Sequence, residues 1–266
     1  MQRSIRVRRS CHIRGIGAAV ALLLATATTA QETPGSAVAA LIAGDTIDCP
    51  GCDLAGVDLR RRNLTGADLS GADLTSAILH RAVLAGADLR GAILRNANLN
   101  VADLKRANLI GADLTEALLY ETDLAGADLS NAILDRSRAQ HARFTQATMV
   151  GASWRNANVT EANLAGADLS RAILAGSIFP QADFQGATLV AAELTGAALF
   201  RANFRRSNME GAIAASAYLL EADFADAIVR NVDFTNANLL RARTRLADTA
   251  GAVFTGATMP DGTIGD

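Results

Sequence analysis

The chain has 266 residues, of which half are apolar but only 4% are aromatic, and its formal net charge is −2. Five arginines and no acidic residue lie within residues 1–30, so the remainder carries 20 basic and 27 acidic residues. An acidic chain without clustered Lys and Arg is a poor candidate for direct binding to a nucleic-acid backbone. Alanine, leucine and glycine supply most of the apolar fraction. A core of such small side chains needs a backbone that approaches itself closely, which favours a repeat structure.

Residues 1–30 have the three parts of a secretory signal peptide. A basic stretch over residues 1–14 precedes an apolar run over residues 15–24, and small residues follow it. Cleavage after Ala27 or after Ala30 fits these small residues equally well. The apolar run is shorter than the roughly 20 residues that a membrane span needs, so an uncleaved membrane anchor is the less favoured alternative. We therefore predict a secreted protein of the periplasm or the cell exterior, with no stable membrane insertion after cleavage.

Residues 31–51 are predicted to form a linker and a short helix. Residues 36–43 are mostly alanine, valine, leucine and isoleucine, and Gly44 follows them as a residue that commonly ends a helix. The repeat that begins after this segment would otherwise leave an open β edge at its first unit, and such edges invite pairing with other chains. We expect the helix to cover that edge as an N-terminal cap.

Two cysteines, Cys49 and Cys52, lie on either side of a Pro-Gly pair. Such a spacing occurs in redox-active pairs, but these need a preceding strand and a following helix, whereas a β-repeat follows here. A metal site needs two further ligands, and the histidines are distant in the chain. Free thiols are a further alternative. The oxidising conditions outside the cytoplasm favour a structural disulfide between Cys49 and Cys52.

The sequence falls into 42 consecutive blocks of five residues, with centres from Leu54 to Met259, without an insertion or a deletion. Each block has an apolar residue at its centre, usually with alanine two residues earlier, as in the block 67–71, which reads Ala-Asp-Leu-Ser-Gly. Neither the helical period of 3.6 nor the strand period of 2 matches five. A chain that turns a corner every five residues does match it, with the centre and the earlier alanine pointing inward. The departures are the centres Ala139, Ala214, Thr244 and Thr249, and Arg62 in place of an inward alanine.

The tandem Ala-(Asp or Asn)-Leu-x-x pattern over residues 52–259 resembles the pentapeptide-repeat family. This resemblance implies an all-β fold, a right-handed, four-sided β-helix solenoid with four blocks per coil. The 42 blocks would then form about ten coils, in a rod roughly 50 Å long. Residues 260–266 form a C-terminal tail with no predicted cap, so the last coil is expected to be an exposed edge through which two copies could form a homodimer.

The aromatic residues divide into two groups. Eight of the eleven are block centres and are predicted to pack in the core; among them, Phe184, Phe204 and Phe224 are spaced by one coil and should stack. The other three point outward and fall on one side of the rod with apolar and arginine neighbours, a composition typical of protein-binding surfaces. The predicted binding face comprises Tyr120, Phe200, Tyr218, Leu220, Arg201 and Arg241.

No catalytic residue, metal ligand or cofactor site is predicted. The aspartates beside the block centres recur regularly on an outer surface, whereas acid–base catalysis needs carboxylates in distinct environments within a pocket. We therefore predict a non-catalytic structural or protein-interaction scaffold with an unknown protein partner. The family resemblance implies an alternative, a DNA mimic that binds a type II topoisomerase. That role needs a dense acidic stripe, which arginines such as Arg205, Arg206 and Arg230 interrupt.

Overall fold

The structure is a computed structural model that describes residues 39–41 and 47–266. The predicted signal peptide and most of the predicted capping helix lie outside the described residues. Residues 39–41 are helical, and the side chain of Leu41 is 2% exposed within the hydrophobic core of the coil. This contact is what a capping helix would make.

From residue 47 onward the chain forms a four-sided coil whose sides are single blocks. The residue before each centre makes one isolated parallel β-bridge to the equivalent residue four blocks later, from Asp53 with Asp73 to Asn238 with Thr258. Four blocks therefore complete one turn, as predicted from the family resemblance. The four sides are numbered by the residues at their block centres. Side 1 has centres 54, 74 and so on to 254, side 2 has 59 to 259, side 3 has 64 to 244, and side 4 has 49 to 249.

Backbone hydrogen bonds between successive coils hold the sides together. The N–H of each centre donates to the carbonyl of the residue that precedes the next centre on the same side, as from Leu54 to Asp73 at 2.7 Å. The N–H of that preceding residue donates back to the carbonyl of the inward residue one coil earlier, as from Asp73 to Cys52 at 2.8 Å. A third bond closes each corner, as from the Ala67 N–H to the Leu64 carbonyl at 3.1 Å. The repeat therefore satisfies its backbone polar groups without long strands.

The corners require a left-handed backbone. The last residue of every block from Gly51 to Gly256 has positive φ, as the third residue of a type II β-turn requires. Glycine adopts that conformation without strain, but 26 of these positions hold other residues. Val101, with φ of 60°, is the β-branched residue among them, and positive φ is least favourable for that side-chain type.

We expect Val101→Asn to raise the free energy of unfolding by about 1 kcal/mol, because left-handed backbone costs an ordinary residue roughly 1–2 kcal/mol and asparagine tolerates it better. Chemical denaturation of both proteins measures the change. Val150→Asn is the matched control, because Val150 is not among the positive-φ residues. An equal response to the two substitutions would contradict the assignment of strain to Val101.

The core is a stack of inward-pointing centres and alanines. Phe184, Phe204 and Phe224 stack as predicted, with ring centroids 4.8 and 5.0 Å apart and nearly parallel planes. Ala139 and Ala214 are also fully buried, so these small centres do not interrupt the core. The structure gives a reason for the polar centres Thr244 and Thr249, which are exposed because they belong to the last coil and no further coil covers them.

The coil begins one block earlier than the sequence pattern suggested. The N–H of Cys49 donates to the Asp68 carbonyl at 2.8 Å, and Gly51 has the positive φ of a corner residue. Cys49 therefore is a block centre on side 4, and Cys52 occupies the position of an inward alanine. In the structure the Sγ atoms of Cys49 and Cys52 are bonded to each other, and the two Cα atoms lie 5.4 Å apart. Both side chains are buried.

The C-terminal tail covers part of the edge that was expected to be open. Ile264 pairs antiparallel with Thr258, and the Met259 N–H donates to the Thr263 carbonyl at 2.8 Å. This hairpin closes side 2. On the other three sides of the last coil, the N–H groups of the centres have no backbone hydrogen-bond partner among the described residues; these centres are Thr244, Thr249 and Phe254.

Candidate interaction surface

Side 2 carries a continuous apolar surface over four neighbouring coils, which we call the side 2 patch. Its members follow or precede block centres on the outer surface: Ile178, Pro180, Phe200, Tyr218, Leu220 and Leu240. Ile178 and Tyr218 are more than 40% exposed, and the others are half-buried. The β-bridge between Ala198 and Tyr218 places the two aromatic members on adjacent coils. Phe200, Tyr218 and Leu220 of the predicted binding face thus lie together.

A row of charges borders the side 2 patch. The Arg201 Nε donates to the Glu221 carboxylate at 2.6 Å, and Arg241 approaches the same carboxylate at 3.6 Å. The hydrogen bond from Arg201 is the largest cause of the lowered pKa of Glu221. The Arg201 guanidinium also lies 4.7 Å from the ring centroid of Phe200, in cation–π contact. The border therefore fixes the position of one patch aromatic while leaving both arginines accessible.

Tyr120 lies on the same side but apart from the patch. Three coils, about 14 Å at β spacing, separate it from Pro180. Its ring makes an edge contact with His141 at a centroid distance of 5.5 Å, and the Nδ1 atom of His141 lies 3.4 Å from Glu161. A hydrogen bond to Glu121 raises the pKa of Tyr120. The predicted face therefore consists of one patch and one separate polar–aromatic cluster.

Sequence reasoning missed a second exposed row, on side 1. Its members precede block centres and recur on every second coil: Ile93, Ile133, Ile173, Ile213 and Val253. All but Ile173 are among the exposed large hydrophobic residues. The interval of two coils is visible in the sequence, but the predicted binding face rested on outward aromatic residues, and this row contains none.

The grooves of the rod do not resemble ligand pockets. Two shallow grooves lie on side 3. Lys105, Arg106 and Arg143 line one together with six uncharged residues, and arginines and aspartates near residue 243 line most of the other. Small-molecule sites are usually concave and largely apolar. Within residues 39–41 and 47–266, no group of three or more His, Cys, Asp or Glu side chains is placed to hold a metal ion. The part of the chain that the structure describes also contains no helix with the length and hydropathy of a membrane span.

Comparison with known proteins agrees with the coil geometry. The family described as pentapeptide repeats matches the chain in 8 copies, which together span residues 52–241. No curated protein matches the chain. The repeats of this family form a right-handed quadrilateral β-helix, and that fold has the four blocks per turn that the β-bridges show here.

Three solved structures illustrate the similarity. HetL, a protein involved in heterocyst differentiation regulation from the cyanobacterium Nostoc sp. strain PCC 7120, is 32% identical over 86% of this chain and 98% of its own, with a TM-score of 0.41. A protein from the thylakoid lumen of Arabidopsis thaliana is 35% identical over 38% of this chain and 71% of its own, with a TM-score of 0.36. QnrB1, a plasmid-mediated fluoroquinolone resistance protein, is 17% identical over 73% of this chain and 86% of its own, with a TM-score of 0.38. On the strength of the repeats matched over most of its length, the chain belongs to the pentapeptide repeat family.

Proposed function

We propose that this protein is a non-catalytic scaffold, exported from the cytoplasm, that binds a partner protein through the side 2 patch. The observation that carries the proposal is the continuous exposed apolar surface of the patch beside Arg201 and Arg241. Aromatic residues and arginine are enriched at the centres of protein interfaces, where they supply most of the binding energy. A regular coil also holds such residues rigidly, which reduces the entropy lost on binding.

The patch is proposed to be the principal contact and Tyr120 a separate one. We expect immobilised wild-type protein to capture a partner from the periplasmic or secreted fraction of its source bacterium. Phe200→Ala/Tyr218→Ala should reduce that capture at least tenfold, because each change removes a large outward ring and leaves the core intact. Tyr120→Ala alone should reduce it less. The measurement is quantitative mass spectrometry of the captured proteins.

A control on another side distinguishes the patch from general stickiness. Ile110→Ala/Ile228→Ala removes two exposed aliphatic side chains from side 4 and should leave capture unchanged. The assignment of the patch would be wrong if the triple variant Tyr120→Ala/Phe200→Ala/Tyr218→Ala retained every protein that the wild type captures.

Export and the disulfide are parts of the same proposal. The composition of residues 1–30 supports a cleavable signal peptide, and an oxidising compartment would favour a bond between Cys49 and Cys52. A bond at that position would link the first block centre to the next inward residue, at the end of the solenoid where only one neighbouring coil packs against them. The N–H groups of Thr244, Thr249 and Phe254 have no backbone partner among the described residues, and they support an end-to-end contact through the last coil as one mode of homodimer formation.

The DNA-mimic alternative is not favoured. Acidic residues on sides 1 and 4 are paired with arginines, as in Arg95 with Asp113 and Arg230 with Asp248, and this neutralises much of any acidic stripe. A supercoiling assay with purified topoisomerase tests it, and we expect unchanged enzyme activity at saturating protein.

A further inference from the structure

The C-terminal half of side 1 differs from the rest of the rod surface. Between residues 172 and 256, the two positions after each centre on side 1 hold only small residues: Ala175, Gly176, Thr195, Gly196, Ala215, Ser216, Thr235, Asn236, Thr255 and Gly256. Neither Lys nor Arg occurs on this side over those coils, whereas each of the other sides carries at least one arginine there. The surface is therefore flat, nearly free of positive charge and accessible to another backbone.

Aliphatic side chains project from this flat surface at regular intervals. Successive β-bridges place Ile173, Glu193, Ile213, Asp233 and Val253 in one column along the rod. Aliphatic and acidic residues thus alternate, with aliphatic side chains about 10 Å apart, which is twice the spacing of neighbouring β-coils. Ile213 and Val253 are 46% and 45% exposed. The column is a row of projections separated by gaps of one coil.

We propose that side 1 binds side 1 of a second copy, with the two rods antiparallel. The register is offset by one coil from the one that would place aliphatic residues of the column opposite each other. A two-fold axis between the coils of Ile173 and Glu193, perpendicular to the rods, generates this arrangement and makes the surface its own partner. Ile173 then lies opposite Glu193 of the second copy, and Ile213 lies opposite Ser153, so that every projection meets a gap.

Both copies are flat only at the coils of Ile173 and Glu193; in the outer coils of the overlap the small residues of one copy face longer side chains of the other, among them Arg136 and Arg155. The small residues leave room for these side chains, so that the two β-surfaces can approach to about 10 Å, the usual distance between stacked sheets.

The register follows from charge as well as from shape. A pairing without the offset would place carboxylates of the two copies opposite each other, for example Glu193 with Asp233, and like charges at an interface cost affinity. With the offset, Asp233 lies opposite Ile133. The carboxylate of Asp233 accepts a hydrogen bond from the Thr235 N–H at 2.9 Å, so it retains a partner beside the aliphatic side chain.

The contact area is sufficient for a dimer. This register overlaps eight coils, from Asp113 to Val253, over about 38 Å, and a five-residue side is roughly 15 Å wide. Each copy would then cover about 600 Å², and the total of about 1,200 Å² lies at the lower end of the range for specific interfaces. We therefore expect a concentration-dependent dimer.

Analytical ultracentrifugation with small-angle X-ray scattering on the mature chain tests the proposal. We expect a dimer whose longest dimension along the rods is about 65 Å, because eight of the eleven coils on side 1 overlap and three project at each end, whereas the end-to-end dimer would approach about 100 Å. Ile213→Arg should raise the dissociation constant at least 100-fold, because it places a positive charge opposite Ser153 and close to Arg155 of the second copy. Glu193→Gln should lower it about fivefold, because the substitution removes a negative charge that the interface would bury.

The control is Ile228→Arg, at the same position of a block on side 4 and 38% exposed. It should change the dissociation constant less than twofold. A wild-type protein that is monomeric at millimolar concentration would overturn the proposal, as would a dimer that Ile213→Arg leaves intact. Capture of a partner by the side 2 patch is an independent readout and should persist in Ile213→Arg.

Discussion

Phe204→Ala is expected to lower the free energy of unfolding by about 3–5 kcal/mol, the range for removal of a fully buried phenylalanine ring. Phe204 is fully buried between Phe184 and Phe224, with interplanar angles of 5° and 4° to the two neighbouring rings. Its removal opens a cavity in the middle of the stack and also breaks two ring contacts. The coils on either side cannot collapse into the space, because the backbone ladder holds their separation.

Phe200→Ala is the matched control, since Phe200 lies four residues earlier in the same coil but points outward. It should cost less than about 1 kcal/mol, as is usual for surface substitutions. Denaturant titrations of the wild type and both variants give the comparison. Equal losses for the two phenylalanines would contradict the inward–outward assignment of the block.

Ala102→Arg is expected to lower stability by more than about 3 kcal/mol, because it buries a charge without a partner. Ala102 is 1% exposed in an inward column on side 3, and the inward position has no room for a guanidinium. Arginine stays charged at every accessible pH, so proton loss cannot relieve the cost. Circular dichroism during thermal unfolding measures the effect.

The natural chain supplies the control for this prediction. Arg62 occupies the same column two coils earlier, where it is half-buried in the first complete coil. Arg62→Ala should therefore change stability by less than about 1 kcal/mol. If Ala102→Arg does not fold, Ala102→Leu provides the measurement, with an expected loss of about 1–3 kcal/mol from overpacking. Neutral behaviour of Ala102→Leu would contradict the close packing of the alanine column.

Most of the coil could be predicted from the sequence because one rule governs it. A fixed five-residue register assigns each residue to the core, the corner or the outer surface, and the Phe184–Phe204–Phe224 stack follows directly. The rule failed at the two ends. Cys49 is a block centre, but its neighbours do not match the alanine–leucine pattern, and the tail around Ile264 pairs antiparallel, which a parallel repeat does not predict.

The candidate surfaces were less predictable. The sequence assigns a residue to one side of the rod, but two residues on the same side can still lie several coils apart. Sorting the blocks placed Tyr120 with Phe200, although the two residues are four coils apart. The prediction considered outward aromatic rings and therefore missed the side 1 row that includes Ile213. The exposure of Ile213 depends on the small size of its neighbours. The exposure of an outward residue therefore depends on the size of the side chains around it, and the side 1 row could be recognised as exposed only in the structure.

Fractionation of cells that produce the full chain, followed by intact-mass measurement, tests most directly whether this protein acts as an exported scaffold. The proposal predicts a species cleaved after Ala27 or Ala30, found in the periplasm or the medium. Under non-reducing conditions it should be lighter by two hydrogen atoms, from the Cys49–Cys52 bond. An uncleaved, reduced protein in the cytoplasm would contradict this account and make topoisomerase binding the first function to test.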